Sequence, residues 1–429
     1  MDPSLSSTTT DTDVNPQGTP SRLSFLKRSR TVESFQFHDF RWLWLGTFFA
    51  FMAINMEQLT RGWLILKLTD DSPLALSLVM MSFALPLTFA AVLGGLMADR
   101  IPRRRMIIYC LSGNTVMTLL LATLDMTGLI RFWHLMVIGF INGTLAAFNM
   151  PSRQSIVSDI VPPESLMNAI SLNSSGMNLT RTIGPAVAGL LIIYLDTAGV
   201  FYLIAGVFAF SIICMAMMRA GQKPANISGT GVIADIAAGF RYAIGNPTLF
   251  GLIVMAFVPA LFGFPYLALL PAWAREALNV RSDGLGLLMM FMGMGSLVGT
   301  LILASLRQLK RRGAFLMATS LAWGITLAVF SQCGSYAMAL PLLLLIGFLS
   351  AIFMSLNMTL MQIYSTPEMR GRIVSMAMMT FGLMPLSAVP FGALAERIGT
   401  PDSLGLSGVI LTLAAVGFFF AFPKFRGVE

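Results

Sequence analysis

The chain has few charged residues and few of the side chains from which catalytic and metal sites are usually built. Only 11% of its 429 residues are charged, two are histidine and three are cysteine, whereas about a quarter of the residues in soluble domains are charged. The histidines and cysteines form no cluster with metal-ligand spacing, and no GxxxxGK[ST] sequence is present. These absences argue against a soluble protein, a metalloenzyme and a pump that carries its own ATPase.

Long apolar segments make up most of the remaining sequence. The mean hydropathy is +0.76, and each α-helical membrane span needs about 20 apolar residues. The apolar runs are continuous and do not alternate, which favours helices over a β-barrel. We therefore predict an all-α membrane protein with twelve transmembrane helices in two pseudo-symmetric six-helix bundles. The predicted spans are 42–67, 74–98, 106–124, 132–158, 168–195, 198–218, 247–272, 283–306, 313–331, 337–362, 372–395 and 404–422.

The distribution of positive charge predicts the orientation of these spans. With the N-terminus inside, most of the 28 Lys and Arg residues fall in inner loops, as the positive-inside rule requires. We therefore expect a multi-pass membrane protein with both termini cytoplasmic. Because topology then accounts for the net charge of +8, the charge predicts no nucleic-acid partner.

Internal repetition indicates that the two halves arose by duplication. The segment around Asn149 is echoed around Asn357, and Pro163 recurs as Pro367 at a nearly constant offset. Parallel repeats of this kind predict a substrate cavity between two bundles. The expected divisions are a disordered cytoplasmic tail at 1–40, an N-terminal bundle at 41–218, a cytoplasmic linker with a short amphipathic helix at 219–246, a C-terminal bundle at 247–422 and a cytoplasmic tail at 423–429.

The predicted loop between spans 2 and 3 reads GLMADRIPRRR from residue 95 and is denser in charge than a chain reversal requires. It resembles the loop motif of the major facilitator superfamily, G-x-x-x-D-R-x-G-R-R/K, with a proline in place of the second glycine. The matching residues are Gly95, Asp99, Arg100, Arg103 and Arg104. Anchoring by positive charge on the inner side accounts for the arginines and leaves Asp99 and Gly95 unexplained.

The carboxylate of this motif predicts a latch. Asp99 lies at the predicted inner end of span 2, where it can face the N-terminus of span 11 and either Arg370 or Arg372. A carboxylate at a helix N-terminus is stabilised by about 0.3–1 kcal/mol. Asp159 is the expected partner of Arg103. The hypothesis is that these contacts hold the two bundles together on the inner side and favour an outward-facing state.

Predicted span 1 contains four polar residues, Asn55, Glu57, Gln58 and Arg61. Ionisable residues within a span are costly and indicate function. Glu57 and Arg61 are spaced i, i+4 and can pair on one helix face. Two interpretations remain open: a pair that neutralises itself near the outer interface, or a protonatable carboxylate or substrate contact that faces the cavity.

Predicted span 5 carries an arginine near its middle and a Gly-Pro step after it. Arg181 can reach Glu57, since spans 1 and 5 are neighbours in the superfamily that the loop motif resembles. Gly184, Pro185 and Gly189 partly match the G-P-x-x-G-G motif of facilitator-superfamily antiporters, although one of the motif's paired glycines is missing. In those families the motif accompanies export, whereas the alternative interpretation is an ordinary packing kink.

Spans 4 and 10 are cavity-lining in the resembled superfamily, and here both carry polar residues. The candidates are Asn149, Arg153, Asn357 and Gln362. Hydrogen bonds between helices explain these residues almost as well as contact with a substrate.

The wider sequence resembles bacterial exporters of the drug:proton antiporter branch, including enterobactin-exporter-like and transmembrane-secretion-effector-like proteins. The residues that carry this resemblance include Leu68–Leu76, Pro151–Gln154 and Arg181–Pro185. It implies a monomeric secondary active transporter, with no cofactor or metal ion, that exports a small amphipathic or apolar molecule (drug or siderophore-like) by alternating access. Protons are the implied coupling ion. An enzyme is not expected, and the alternatives are facilitated or proton-coupled uptake of a small metabolite and a non-transporting receptor or scaffold.

Overall fold

The computed structural model describes residues 30–98, 101–219, 241–242, 245–306, 311–366, 369–422 and 425; within these ranges the side chains of 30–32, 89–98, 370–372 and 374–383 are not described. Asp99, Arg100, most of the predicted linker helix and most of both predicted tails lie outside the described residues.

The described part of the chain is helical and contains no strand. A 3-10 helix, Arg30–Gln36, precedes the α-helices. These are α1 (His38–Leu68), α2 (Pro73–Ala98), α3 (Arg103–Met126), α4 (Phe132–Ile160), α5 (Pro163–Ala216), α6 (Pro247–Phe262), α7 (Pro265–Leu278), α8 (Ser282–Ser305), α9 (Arg312–Ser331), α10 (Tyr336–Ile363), α11 (Arg370–Ile398) and α12 (Thr400–Ala421).

The 3-10 helix is anchored where a disordered tail was predicted. The Ser34 hydroxyl is fully buried and donates to Asn168 Oδ1 at 2.7 Å, while the Ser34 N–H donates to the same oxygen at 3.1 Å. Phe35 packs edge-on against Phe40 and Trp44. Ser34 and Phe35 are therefore held against α5 and α1 within the segment predicted as a tail, while the predicted division at residue 40 stays a prediction.

The helix α5 contains the predicted junction between spans 5 and 6. Its backbone breaks at Asp196, where φ is 52° and ψ is 179°, a left-handed conformation that is strained for any residue other than glycine. The Asp196 carboxylate pairs with Lys67 Nζ at 2.9 Å. The break therefore lies beside the end of α1, and the first arm of α5 (Pro163–Leu195) runs parallel to α1, from Trp44 beside Leu172 to Lys67 beside Asp196.

Predicted span 7 (247–272) falls within one apolar segment, Pro247–Leu278, that is long enough to cross a membrane. The structure has two helices, α6 and α7, which meet at Gly263 and Phe264. The N–H groups of both residues turn back onto the carbonyl of Pro259, at 2.7 and 3.1 Å, and Pro265 has no N–H with which to continue the ladder. The chain is therefore interrupted near the centre of the molecule, and α7 extends to Leu278.

Among the described residues, eight helical segments are long and apolar enough to cross a membrane. In this count α5 is one segment, and α6 and α7 together (Pro247–Leu278) are another. The molecule has two ends, which we name from their residues. The His38 end is where α1 begins, and the Pro73 end is where α1 gives way to α2 through residues 69–72.

Close crossings between helices use glycine in corresponding places of the two halves. A Cβ added at Gly143 of α4 would collide with the Phe83 carbonyl oxygen of α2, and one at Gly347 of α10 would collide with the Met292 carbonyl oxygen of α8. Small residues permit such close backbone approach. These glycines are separated by the same offset as Pro163 and Pro367. Arg153 and Asn357 share that offset, so Asn357 is the structural counterpart of Arg153. The sequence comparison matched Asn357 to Asn149, which lies one helical turn before Arg153.

Further helix pairs connect the two halves. The first arm of α5 packs against α8, and α2 packs against α11 and α7. A Cβ at Gly62 of α1 would lie 3.4 Å from Pro271 Cγ of α7. The largest fully buried side chains include Trp273, Trp323 and Tyr266, all in the second half. The two halves therefore meet along α1, α2 and α5 on one side and α7, α8 and α11 on the other.

Candidate functional site

A buried ion pair lies in the interior of α1. Arg61 Nη2 donates to Glu57 Oε1, and the Glu57 residue is 7% exposed. Asn142 Nδ2, from α4, donates to the same carboxylate oxygen at 3.2 Å. The carboxylate is thus held by donors from two helices, which offsets part of the cost of removing a charge from water.

A cavity of about 300 Å³ adjoins this pair. Its walls come from α1, α2, α3, α4, α7 and α8. The polar lining residues are Glu57, Gln58, Arg61, Asn114 and Asn142; the apolar ones include Phe51, Ile54, Met80, Phe83, Leu267, Pro271 and Met289. A mostly apolar cavity with a few convergent polar groups is the usual form of a small-molecule site. Because α7 and α8 supply one wall, the cavity lies between the two halves.

Several polar atoms at this cavity have no hydrogen-bond partner among the described residues. They are Asn114 Oδ1, Asn142 Oδ1 and Arg61 Nε, and each is buried. A buried polar atom without a partner costs about 1–3 kcal/mol. Two acceptors and one donor on cavity-lining residues are therefore unsatisfied within the described structure.

A second polar contact joins α1 to α4 nearer the His38 end. Arg153 Nε donates to Asn149 Oδ1 at 2.6 Å, and Arg153 Nη1 donates to Thr47 Oγ1 at 2.9 Å. The guanidinium lies over the ring of Phe51, 5.9 Å from its centroid. Arg153 is 8% exposed, and its Nη2 atom has no partner among the described residues. This is a buried cation held by neutral groups alone.

The two polar contacts lie on the faces that α1 and α4 turn towards each other. Asn142, Asn149 and Arg153 are spaced by seven and four residues and so share one face of α4. Thr47 and Glu57, their partners on α1, are ten residues apart, which corresponds to about 15 Å at 1.5 Å per residue. We call this set the α1–α4 polar row. Phe51 lines the cavity and separates it from the guanidinium of Arg153.

Arg181 lies on a polar face of α5. It is exposed, as is Ser174 seven residues earlier, whereas Ala188 seven residues later is fully buried. Residues spaced by seven share a helix face, so this face is open towards the His38 end and closed towards the Pro73 end. The other exposed face of α5 carries apolar residues, including Leu179 and Ile183.

The structure does not bring Arg181 to Glu57, although the two helices touch. Asn55 Nδ2 is 3.5 Å from Thr180 Oγ1 and donates to the Phe51 carbonyl at 2.7 Å, which places Arg181 near the level of Asn55. The partner of Glu57 among the described residues is Arg61 of the same helix.

The glycines of the span 5 motif are points of close packing. A Cβ at Gly184 would lie 2.8 Å from Asn55 Cβ of α1, and a Cβ at Gly189 would collide with the Ser282 carbonyl oxygen of α8. Pro185 is buried, and its own carbonyl faces Gly286 of α8. These residues hold α5 between α1 and α8, that is, between the two halves.

Polar contacts between the halves also occur at the Pro73 end. Asp71 pairs with Arg275 Nη1 of α7 at 3.1 Å, and the Arg275 guanidinium lies 5.2 Å from the ring centroid of Trp63. The Ser72 hydroxyl donates to Glu396 of α11. We call these contacts the Pro73-end ties. Asp71 has φ of 65°, so its side chain reaches α7 from a left-handed backbone.

The loop motif is described only in part. Gly95 lies in α2 and Asp99 and Arg100 lie outside the described residues, as do the side chains of Arg370 and Arg372 at the start of α11. Arg103 donates to Asp159 at 2.7 Å and to the Ser155 carbonyl at 2.9 Å. Arg104 donates to the Met215 carbonyl at 2.9 Å. These contacts join α3 to α4 and α5, all within the first half.

The remaining candidates lie in α10. Asn357 is 3% exposed, and its Oδ1 atom has no partner among the described residues. Gln362 is exposed near the end of the helix. Sequence reasoning missed Asn142, Asn114 and the Pro73-end ties. The available signal for Asn142 was its spacing of eleven residues from Arg153, which is three helical turns.

Comparison with known proteins identifies the family. A family model described as transmembrane secretion effector matches residues 30–428. The chain belongs to this family of the major facilitator superfamily. It is 23% identical over 393 residues to the staphyloferrin A transporter of Staphylococcus aureus (strain NCTC 8325 / PS 47), which covers 90% of this chain and 97% of that protein. It is 26% identical over 378 residues to the multidrug efflux pump Tap of Mycolicibacterium fortuitum, covering 86% and 91%.

Among solved structures, the fold is similar to that of a bacterial homologue of the human lysosomal transporter Spinster in an inward-facing and occupied conformation. The TM-score is 0.71 at 17% identity, over 93% of this chain and 99% of that one. The fold and the family together show a transporter, not an enzyme, that crosses the bacterial inner membrane several times.

Proposed function

We propose that this transporter has twelve spans in two six-helix bundles and exports a small amphipathic or apolar molecule by proton-coupled antiport. The observation that carries the proposal is the cavity between the halves with Glu57 in its wall. The family includes relatives that are named for drug efflux and for siderophore transport. The molecule works as a monomer, with both termini in the cytoplasm and a cytoplasmic linker at 219–246.

Alternating access follows from the unequal ends of the molecule. At the Pro73 end, the Pro73-end ties and the crossing of α5 with α8 bring the halves together. Towards the His38 end, the polar face of α5 around Arg181 and Ser174 is exposed. Opening to the other side requires the Pro73-end ties to break. The motif carboxylate Asp99, with Arg370 or Arg372, would then hold the His38 end closed.

Glu57 is the proposed proton-binding group. Its carboxylate accepts from Arg61 and Asn142, and protonation would remove the charge that holds both donors. A donor released in this way becomes available to the cavity, so the binding of a proton and the binding of a molecule are coupled through the same groups. Ionisable residues inside spans mark proton relays and substrate paths in transporters generally.

The test uses the full-length protein in proteoliposomes with an imposed pH gradient and two amphipathic dyes, carboxyfluorescein and tetramethylrhodamine methyl ester. We expect at least one dye to move against its own gradient at the expense of the proton gradient. Transport that is unaffected when the pH gradient is collapsed would remove the antiport claim. Movement of the dye in the same direction as the protons would identify uptake in place of export.

A further inference from the structure

The charges inside the helices do not balance. Apart from Asp196 at the break in α5, which pairs with Lys67, the only Asp, Glu, Lys and Arg residues beyond the first and last turns of the described helices are Glu57, Arg61, Arg153 and Arg181. The helical segments 89–98 and 374–383, whose side chains are not described, contain no ionisable residue of these types. The interiors of the described helices, with the break at Asp196 left aside, therefore hold three arginines and one carboxylate.

The single carboxylate is already committed to one of the three arginines. Glu57 pairs with Arg61 of the same helix and accepts a further hydrogen bond from Asn142. It forms no ion pair with Arg153 or Arg181 in the described structure. Arg153 and Arg181 thus have no anionic partner among the described residues. For the buried Arg153 this is unusual, because an unpaired buried charge is costly.

Arg153 is built as an anion subsite. It is more than nine-tenths buried, and Thr47 and Asn149 fix two of its nitrogens by hydrogen bonds. The third nitrogen, Nη2, has no partner among the described residues. Guanidinium groups bind carboxylate and phosphate in a planar fork, so a held guanidinium with a free N–H edge is suited to an anionic oxygen.

Of the two arginines Arg153 and Arg181, Arg181 is the exposed one. It lies on the face of α5 that is open towards the His38 end and closed towards the Pro73 end. An arginine at mid-span on such a face requires an aqueous cavity, because exposure to lipid would be costly. A molecule that enters from the His38 end meets Arg181 before it reaches the cavity beside Glu57.

We infer that the transported molecule is an amphipathic organic anion, whose carboxylate, phosphate or sulfonate group is bound by Arg181 and Arg153 while its apolar part fills the cavity lined by Phe51, Phe83 and Met289. This inference rests on the proposed function, since it names the substrate class of the same site. A lipophilic cation should be a poor substrate. It would meet the positive charges of Arg153 and Arg181, and the Glu57 carboxylate is already neutralised by Arg61.

The experiment compares two dyes that share a xanthene ring system and differ in charge, carboxyfluorescein (anion) and tetramethylrhodamine methyl ester (cation). Wild-type protein, Arg181→Gln, Arg153→Gln and Arg153→Lys are reconstituted at full length, with the membrane potential clamped at zero by valinomycin and equal potassium. Arg131→Gln is the matched control, because Arg131 is an exposed arginine that precedes α4. Gel filtration and thermal unfolding report the folding of each variant.

We expect the wild type to transport the anion at least about tenfold faster than the cation, and each Gln variant to lose about tenfold in anion transport, the size of one charge-assisted hydrogen bond. Cation transport should be unchanged or higher, and Arg153→Lys should lie in between, because it keeps the charge without the fork. If Arg153→Gln fails to fold, Arg181→Gln carries the test.

The outcomes separate this inference from the proposed function. A wild type that prefers the cation, or a dye preference that neither Gln variant changes, overturns the anionic substrate and leaves the transporter assignment standing. A wild type that transports neither dye overturns both. Equal losses in Arg131→Gln and Arg181→Gln would show that the effect comes from general surface charge and would also overturn the inference.

Discussion

Helices α4 and α10 occupy corresponding places in the two halves, yet only α4 carries a charge in its interior. Each crosses a neighbour at a glycine, Gly143 on α2 and Gly347 on α8. At the matched position beyond that glycine, α4 has Arg153 and α10 has Asn357. Both side chains are buried and both keep one polar atom without a partner among the described residues. Packing has been kept in both halves, while ionic chemistry is confined to the first.

The same division holds for the cavity as a whole. The first half supplies its ionisable and amide groups, Glu57, Arg61, Asn114 and Asn142. The second half supplies apolar surface from Leu267, Ala268, Pro271 and Met289. Under the proposed function the two halves have separate tasks: the first binds proton and charge, and the second provides an apolar wall.

The largest effect is expected from Glu57→Gln, which removes the carboxylate in the cavity wall with little change in side-chain shape. Gradient-driven dye transport should fall to the level of empty liposomes, while downhill exchange of dye persists. The matched control is Glu164→Gln, an exposed residue in the first turn of α5, and it should transport normally. Equal gradient-driven transport by Glu57→Gln and wild type would place proton coupling elsewhere.

The comparison of α4 with α10 predicts a difference between Arg153→Asn and Asn357→Ala. Arg153→Asn should lower transport of the anionic dye about tenfold and should not lower the thermal unfolding temperature, because removing an unpaired buried charge relieves its desolvation cost. Asn357→Ala should change transport by less than about threefold, a difference that dye-flux assays on the two purified variants resolve. If Asn357→Ala proves the more damaging variant, the division of tasks between the halves is wrong.

The glycine crossings predict equal losses of stability in the two halves. Gly143→Ala and Gly347→Ala should each destabilise the fold by about 1–3 kcal/mol, because the new methyl group meets a backbone carbonyl that cannot rotate away. Thermal unfolding in detergent measures this loss. Gly206→Ala is the control, since a Cβ there has no neighbour within 4 Å. Tolerance of alanine at only one crossing would break the structural equivalence of the halves.

The smallest effect is expected from Asp71→Asn, which removes one of the Pro73-end ties. The side chains of Arg275 and Asp71 are 35% and 47% exposed, so the pair contributes about 0.2–1 kcal/mol. Labelling of Gln58→Cys by a membrane-impermeant maleimide should become up to about fivefold faster from the side of the Pro73 end. An unchanged labelling rate would show that the ties do not keep this end closed.

Sequence reasoning recovers those features that depend on local pattern. Hydrophobic runs predicted the helices, the break near Asp196 and the placement of Arg103 beside Asp159. The spacing of Glu57 and Arg61 predicted their pairing within one helix. These contacts involve residues that are near one another in sequence or at the ends of adjacent helices.

Features that depend on how helices face each other could not be read from the sequence. Asn142 contacts Glu57 across 85 positions, and Asp71 contacts Arg275 from the other half. The split of span 7 at Gly263 required knowledge of which carbonyl its N–H group finds. Arg181 was expected to reach Glu57 because their helices are neighbours, but its face of α5 points into the opening towards the His38 end.

The most direct test of the central claim is proton movement driven by dye alone. Proteoliposomes that contain a trapped pH indicator are given a gradient of the transported dye and no pH gradient, and the internal pH is recorded. The account predicts a proton flux opposite to the dye flux for wild type and none for Glu57→Gln, although both variants still carry the dye downhill. Proton flux that is identical in the two proteins, or absent in wild type while the dye moves, would contradict it.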